Sequence, residues 1–323
     1  MKTRRLGRDG PLVSAIGLGC MRMSNIMGGP QPAPDSENDR ESIATIEAAL
    51  DAGIKLLNTG DFYGMGHNES LVARAIRRRR GQAFLSVKCG IQRTHTGAIL
   101  GMDGRPNSIK NYAAYSLQRL GVDYIDLFQP ARADPSVPYE DTIGAVADLI
   151  SEGKVRYLGV SEVNADQLRR AHGTHPVAAL EIEYSLANRF IESEMLPVAR
   201  ELGIGIAAYG VVAQGLLAGA MRGGVVDSGL AASFPRLQDE NLRKNLRTID
   251  PLEHLAKSKG CTPAQLAIAW ILSQGDDIVP LVGMSRRSRL PESLGALDLA
   301  LSADELTALD QAFVTGAIVD GLS

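Results

Sequence analysis

The stretch DAGIKLLNTGDFYG, Asp51 to Gly64, decides the fold. Asp51–Gly53 stops a helix, with glycine as the favoured left-handed terminator. Ile54–Leu57 then forms a short apolar run. That run ends abruptly at Asn58, where polar residues, small residues and a tyrosine take over. A helix stop, a buried strand and a chemically rich loop thus follow one another within fourteen residues. Glu201–Gly203 repeats the same stop before Gly205–Ala208.

Outward from this unit the pattern recurs. Ala15–Leu18, Ile54–Leu57, Phe84–Val87, Tyr124–Phe128, Tyr157–Val160, Ala179–Ile182, Gly205–Ala208 and Ile278–Leu281 read as strands. They are short and nearly all apolar, as parallel strands covered on both faces should be. Amphipathic segments lie between them: Arg40–Ala52, Glu69–Arg78, Arg105–Leu120, Tyr139–Glu152, Ala165–Ala171, Ser193–Leu202 and Pro263–Gln274. Right-handed crossovers between such units give a parallel sheet, and eight of them close into an α/β fold of the (β/α)8 TIM-barrel type. An open doubly wound sheet is the rival, but no strand is followed by a Gly-rich GxGxxG turn. Thr3–Leu6 and Leu12–Ala15, flanking Arg8-Asp9-Gly10, predict an N-terminal β-hairpin that plugs the barrel floor. Leu301–Ala312 predicts an extra C-terminal helix, capped by Ser302 with Glu305 completing a capping box. Gly28–Asp39 and Gly215–Pro235 read as long loops. Residues 1–323 are expected to form one domain.

Composition narrows the function. The 323 residues are 45% hydrophobic and 22% charged, with a net charge of −3. That balance gives no sign of a nucleic-acid partner. No apolar run is long enough for a membrane span, and MKTRRLGRDG lacks the apolar core of a signal peptide. The three cysteines have no metal-ligand spacing and suggest a reducing, cytoplasmic setting. No metal site is expected, and His67 alone does not make one. The arginine run Arg77–Arg80 reads as a solvated helix end.

In a barrel, chemistry gathers at the C-terminal ends of the strands. There the sequence places Asn58, Asp61 and Tyr63, then Lys88 and Cys89, then Gln129, Arg132 and Asp134. Ser161, Glu162, Glu181, Glu183 and Tyr209 follow. The eighth strand leads into GMSRRSRLPES, Gly283–Ser293. A phenol carries a proton that a carbonyl oxygen needs during reduction, and a nearby ammonium makes it easier to give up. Tyr63 and Lys88 are therefore a candidate acid pair. Arg286, Arg287 and Arg289, with Ser285, suit a phosphate, and the Tyr209 ring suits a flat heterocycle.

At these residues the chain resembles the aldo-keto reductase family. The likeness runs through GLGCM, TGDFYGMGHNE, FLSVKCG, RLGVDYIDLFQPAR, EGKVRYLGVSEV, EIEYSL, GIAAYGVVAQGLLAG and PLVGMSRRSRLPESLGAL, in order over nearly the whole length. The resemblance implies reduction of a small-molecule aldehyde or ketone with NADPH, interconverting NADPH and NADP+. It implies Tyr63 as proton donor, Lys88 as the group that tunes it, and Asn58 in the place of a usual aspartate. On the cofactor side it implies Tyr209 stacked on the nicotinamide, and Ser161 and Glu181 at the carboxamide. Gly210, Val212 and Gln214 would border the pyrophosphate. Gly283 opens the segment in which Ser285, Arg286 and Arg289 would grip the 2′-phosphate, with Glu292 at the adenine. A pyridoxal-reductase-like branch shares the PAR segment that replaces the usual histidine here.

The departures raise their own expectations. Asn58 cannot neutralise Lys88, so Asp61 is a candidate for the missing charge, with a loop cap as its alternative role. Glu181, where glutamine is usual, would hold the carboxamide less firmly or be protonated. Arg132 either orients substrate or is held by Asp134. Met21, Met23 and Met27 form either an apolar substrate wall or part of a loop. Trp270 is expected in the core. Two alternatives to the reductase are a nicotinamide-binding regulatory protein with little turnover and a Schiff-base aldolase using Lys88.

Overall fold

A computed structural model describes residues 1–26, 31–223 and 232–320. Met27 and parts of the loops expected at 28–39 and 215–235 lie outside these residues. Eight parallel strands close into a barrel. In chain order they are β3 (Gly17–Gly19), β4 (Leu56–Gly60), β5 (Phe84–Cys89), β8 (Ile125–Pro130), β9 (Val155–Ser161), β10 (Val177–Glu183), β11 (Gly205–Tyr209) and β12 (Ile278–Gly283). Each pairs with its sequence neighbour, and β12 closes the ring on β3 through Leu281↔Gly17, Val282↔Leu18 and Gly283↔Gly19. Helices pack around the outside, beginning with Glu37–Asp51, whose N-cap Ser36 accepts from the Asp39 amide.

The predicted hairpin is present. β1 (Thr3–Arg5) pairs antiparallel with β2 (Leu12–Ser14). It carries Leu6 and Val13 into a cluster with Leu56, Leu127, Ala179, Ala207, Val279 and Leu281. These are the inward residues of the barrel's lower half, so the hairpin forms its floor. The C-terminal helix is also present at Ala303–Ala312, with the Ser302–Glu305 capping box formed.

Side chains alternate inward and outward along a strand. In β4, Leu57 faces the helices and joins the outer core, while Leu56 faces the barrel axis. Two residues above Leu56 the same face carries Asn58; on β5, Ser86 and Lys88 stand above Phe84. The register sets Asn58 beside Ser86, Lys88 beside Gln129 and Glu181 beside Ser161. The barrel interior therefore changes from hydrocarbon at the floor to polar groups at the top. Asn58, Lys88, Gln129 and Ser161 are strand residues, not loop residues after the strands, and Glu181 lies on its strand as expected. An apolar run read from sequence stops at the first polar residue, but here the hydrogen-bond ladder continues past it.

Several elements were not expected. A second hairpin, β6 (Ile91–Arg93) with β7 (Ile99–Met102), follows β5 at the barrel mouth. Two helices, Asp239–Thr248 and Asp250–Ser258, precede Pro263–Ser273. The arginine run is less solvated than expected, because Arg80 binds Asp126 at 2.7 Å and lies 4.3 Å from the Tyr124 ring centroid. Trp270 is fully buried, edge-on to Tyr184. Among the described residues no helix is long and apolar enough to cross a membrane.

Candidate active site

At the top of the barrel the polar side chains form one closed network. Lys88 Nζ donates to Glu181 Oε1 at 2.6 Å and to Asn58 Oδ1 at 2.7 Å. Asn58 Nδ2 donates to Glu181 Oε2 at 2.6 Å and to Ser86 Oγ at 3.2 Å. Gln129 Nε2 donates to the same Glu181 oxygen and, at 3.3 Å, to Ser86 Oγ. All five residues are buried. Gly159 makes room for Gln129, since a Cβ there would stand 2.6 Å from Gln129 Oε1.

Tyr63 lies in a short helical turn, Tyr63–Gly66, just beyond β4. Its ring is buried edge-on to Phe62, and Lys88 Nζ is 5.2 Å from its centroid. Burial raises the phenol above its ordinary pKa; the Lys88 ammonium pulls it back, and Glu181 pushes it up again. The phenol therefore retains its proton. Burial works to lower Lys88, but Glu181 and Tyr63 together outweigh it, and Lys88 is held above the usual lysine value. The sequence left open whether Lys88 keeps its charge. The geometry resolves this through Glu181, which lies 93 residues away in the chain.

Asp61 does not take that role. Its carboxyl is pushed up from 3.8 to about 8, first by burial and then by Glu69, with Arg119 and the Phe62 and Gly90 amides opposing. It lines an outer groove of about 400 Å³ with Phe62, Tyr112 and Arg119. Glu181, expected at the carboxamide, has both oxygens engaged by Lys88, Asn58 and Gln129.

An apolar wall stands beside the phenol: Phe62, Tyr63 and Ala131 pack with Met21, Ile26 and Ile91. Met23 instead belongs to the outer core. Arg93, on the unexpected hairpin, lies 5.9 Å from the Phe62 ring centroid and donates to the Ile26 carbonyl at 3.1 Å. It was missed because its strand has only three residues and no apolar run. Arg132 donates to its neighbour's carbonyl, Ala131 O, at 2.7 Å. Asp134 does not hold Arg132; it accepts from the Gly104 amide at 2.9 Å and from Ser136 Oγ at 2.6 Å. Cys20 and Cys89 are fully buried, and burial pushes the Cys20 thiol up to about 12.

The remaining predicted residues ring the mouth. Ser161 is buried at the end of β9. Tyr209 ends β11, and burial, with Glu162 next, drives its phenol far above the ordinary range. Glu162 adopts a left-handed φ of 51° and accepts from the Glu183 amide at 3.0 Å. Beyond Tyr209 the chain turns through left-handed residues at Gly210 (φ 70°), Ala213 (46°), Gln214 (55°) and Gly215 (99°). Val212 accepts from the Gly215 amide at 2.9 Å. Gln214 Oε1 is buried with no hydrogen-bond donor among the described residues. Past Gly283, the last residue of β12, an open recess of about 590 Å³ is lined by Ser285, Arg286, Ser288, Arg289 and Glu292. Arg287 is taken up by Glu41 at 2.8 Å, and Arg289 reaches Glu292 at 3.2 Å. Arg286 is exposed and forms no salt bridge among the described residues.

One buried ion cluster had no sequence signal. Arg236 binds Glu183 at 2.8 Å and Asp320 at 2.5 Å, tying the C-terminal segment to the end of β10.

Comparison with known proteins agrees with this architecture. A sequence profile described as the Aldo/keto reductase family matches residues 15–313. "Probable aldo-keto reductase 1" of Glycine max is 39% identical, over 98% of this chain and 90% of its own length. The glycerol dehydrogenase of Gluconobacter oxydans superposes with a TM-score of 0.86 at 30% identity, covering 98% of this chain and 96% of that one. An aldo/keto reductase of Klebsiella pneumoniae, solved with NADP and acetate, superposes with a TM-score of 0.76 at 25% identity, covering 97% and 96%. With its eight-stranded barrel and a profile match across almost its full length, this chain belongs to the aldo/keto reductase family.

Proposed function

We propose that this protein reduces an aldehyde or ketone to an alcohol with NADPH, using Tyr63 as proton donor. The observation that carries this reading is the buried pairing of phenol and ammonium at the barrel mouth, 5.2 Å from Nζ to ring centroid. Aldo/keto reductases work with NADP(H), and the Klebsiella pneumoniae neighbour was solved with NADP.

The residues present fit such a cofactor. Arg286 offers an uncommitted guanidinium in the recess after β12, where a 2′-phosphate would accept charged hydrogen bonds. Gln214 Oε1, a buried acceptor without a donor among the described residues, would accept from a ribose hydroxyl of the cofactor rather than from its pyrophosphate. Tyr209 presents a ring at the mouth, and Ser161 a hydroxyl. When bound, the nicotinamide supplies hydride to the carbonyl carbon.

The chain's own residues supply the rest. Tyr63 Oη donates its proton to the carbonyl oxygen, and the Lys88 ammonium stabilises the phenolate left behind. Bulk water then reprotonates the phenolate. Met21, Ile26, Ile91 and Ala131 give the substrate an apolar wall. Their character favours a carbonyl compound with a hydrocarbon or aromatic body. Three unpaired cysteines accord with a cytosolic setting. A Schiff-base aldolase would need Lys88 as a free amine, and the carboxylate at 2.6 Å weighs against that.

The test is NADPH oxidation with a panel of aldehydes and ketones, run beside Tyr63→Phe. The wild type should turn over. The variant should lose roughly 10²–10⁴ in kcat while binding NADPH with unchanged affinity. Firm NADPH binding with no oxidation by the wild type would instead support a regulatory role.

A further inference from the structure

The structure assigns Glu181 as the counter-ion that keeps Lys88 charged, with Asn58 as a neutral relay between them. Glu181 is thus a positioning residue, not a cofactor ligand. This rests on the reductase reading above and extends it to the residue that sets the charge state of the acid pair.

Lys88 is buried, and among the described residues Glu181 is the one carboxylate in contact with its Nζ. Glu181 reaches it across the barrel from β10, with β8 and β9 lying between β10 and β5. Asn58, on the adjacent strand β4, accepts from Nζ through Oδ1 and donates to Glu181 through Nδ2. An isolated buried ammonium is unstable towards losing its proton. Asn58 can accept from it but cannot cancel its charge. Glu181 therefore decides whether the group beside Tyr63 is an ammonium or an amine.

The same scaffold can carry the negative charge at position 58. In N58D/E181Q a carboxylate oxygen would occupy the place of Asn58 Oδ1, 2.7 Å from Nζ. The other oxygen would replace Nδ2 and would accept from the new amide at 181 and from the Ser86 hydroxyl. Gln129 Oε1, now buried without a donor, would accept from that amide after a flip of the Gln129 side chain. The bonds from residues 58 and 129 to residue 181 reverse direction, the Ser86 hydroxyl turns to donate to residue 58, and Lys88 still donates to both positions, while the heavy atoms stay in place. The double exchange should therefore restore what the single change removes.

Three variants test this: E181Q, N58D and N58D/E181Q. Protein labelled with ¹³C at lysine Cε reports the Lys88 titration without any turnover. NADPH affinity is read by fluorescence and kcat by a pH profile with an active carbonyl. In E181Q the Lys88 titration should move down, and kcat at neutral pH should fall roughly tenfold or more, with NADPH Kd within about twofold. In N58D/E181Q the titration should return to its wild-type position and most of kcat with it. N58D alone should hold Lys88 at least as high as wild type.

A tenfold loss of NADPH affinity in E181Q with an unmoved Lys88 titration would overturn the assignment and return Glu181 to the carboxamide. A double variant that stays inactive, with its Lys88 titration still low, would also overturn it. Should E181Q fail to fold, a folded N58D/E181Q with a wild-type titration supports the assignment, and a double variant that also fails to fold overturns it. If the wild type reduces no carbonyl, the reductase reading fails, and the titration series still judges Glu181.

Discussion

Asp61→Asn separates a loop carboxyl from the active-site network, and its effect can be worked from the structure. Asp61 is buried beside Glu69, and its carboxyl is pushed up from 3.8 to about 8. In the unfolded chain it ionises near 3.8; in the folded protein it holds its proton to about 8. Below the lower value the two states bind the same proton and nothing changes. Between the two values the folded state holds a proton that the unfolded state has released. The stability this group contributes is thus complete at low pH and is lost as pH rises towards 8. At about 1.4 kcal/mol for each tenfold in proton affinity, the ceiling on that loss is on the order of 6 kcal/mol. Water entry and loop relaxation reduce it to about 3 kcal/mol. For a chain of 323 residues this corresponds to about 4 °C in Tm.

Asparagine cannot ionise, so Asp61→Asn removes this slope. Its new amide has an acceptor nearby, because Glu69 Oε1 is buried without a partner among the described residues. Thermal unfolding followed through Trp270, the only tryptophan, should give near-equal Tm values at about pH 4. The variant should melt higher by about 4 °C at about pH 9. Parallel Tm curves over that range would refute the reasoning, because they would mean that Asp61 titrates alike in both states.

Two further changes probe the mouth and the network. Arg286→Ala removes an exposed guanidinium with no salt bridge among the described residues, so Tm should not move. NADPH affinity should weaken by roughly 10- to 100-fold, NADH affinity should hold, and fluorescence titration distinguishes the two. Gly159→Ala places a Cβ 2.6 Å from Gln129 Oε1 and 3.2 Å from Leu127 Cδ1. It should cost about 1–3 kcal/mol in urea unfolding, because the interior there has no slack.

The fold was legible because parallel strands covered on both faces leave short apolar runs, and helix stops such as Gly53 and Gly203 punctuate them. What escaped had no such run. Ile91–Arg93 is a three-residue strand, stabilised by pairing with Ile99–Met102 and by contacts at the mouth that no local pattern encodes. The helix Asp239–Thr248 is mostly polar and follows a stretch read as loop, so its few apolar positions did not mark it out. In the site, Tyr63 and Lys88 were legible because each follows an apolar run at its own strand end. The partner of Lys88 was not, because proximity in sequence favoured Asp61 over a residue three barrel strands further on.

A physical signal for that partner was nonetheless present. Glu181 lies in Ala179–Ile182, a run otherwise apolar and read as buried on both faces. A carboxylate cannot remain ionised there without a cation. Two residues above Ala179, it shares the inward face of β10 at the same level as the polar ends of the other strands. Lys88 is the only lysine at one of those ends, so the two opposite charges at the barrel top had no better partner than each other. Asn58 then ceases to be a defect. With the carboxylate supplied from β10, a second one at position 58 would leave the layer with excess negative charge around a single ammonium. The amide is the side chain that can accept from Lys88 and donate to Glu181 at once, and its two contacts, 2.7 and 2.6 Å, show it doing both.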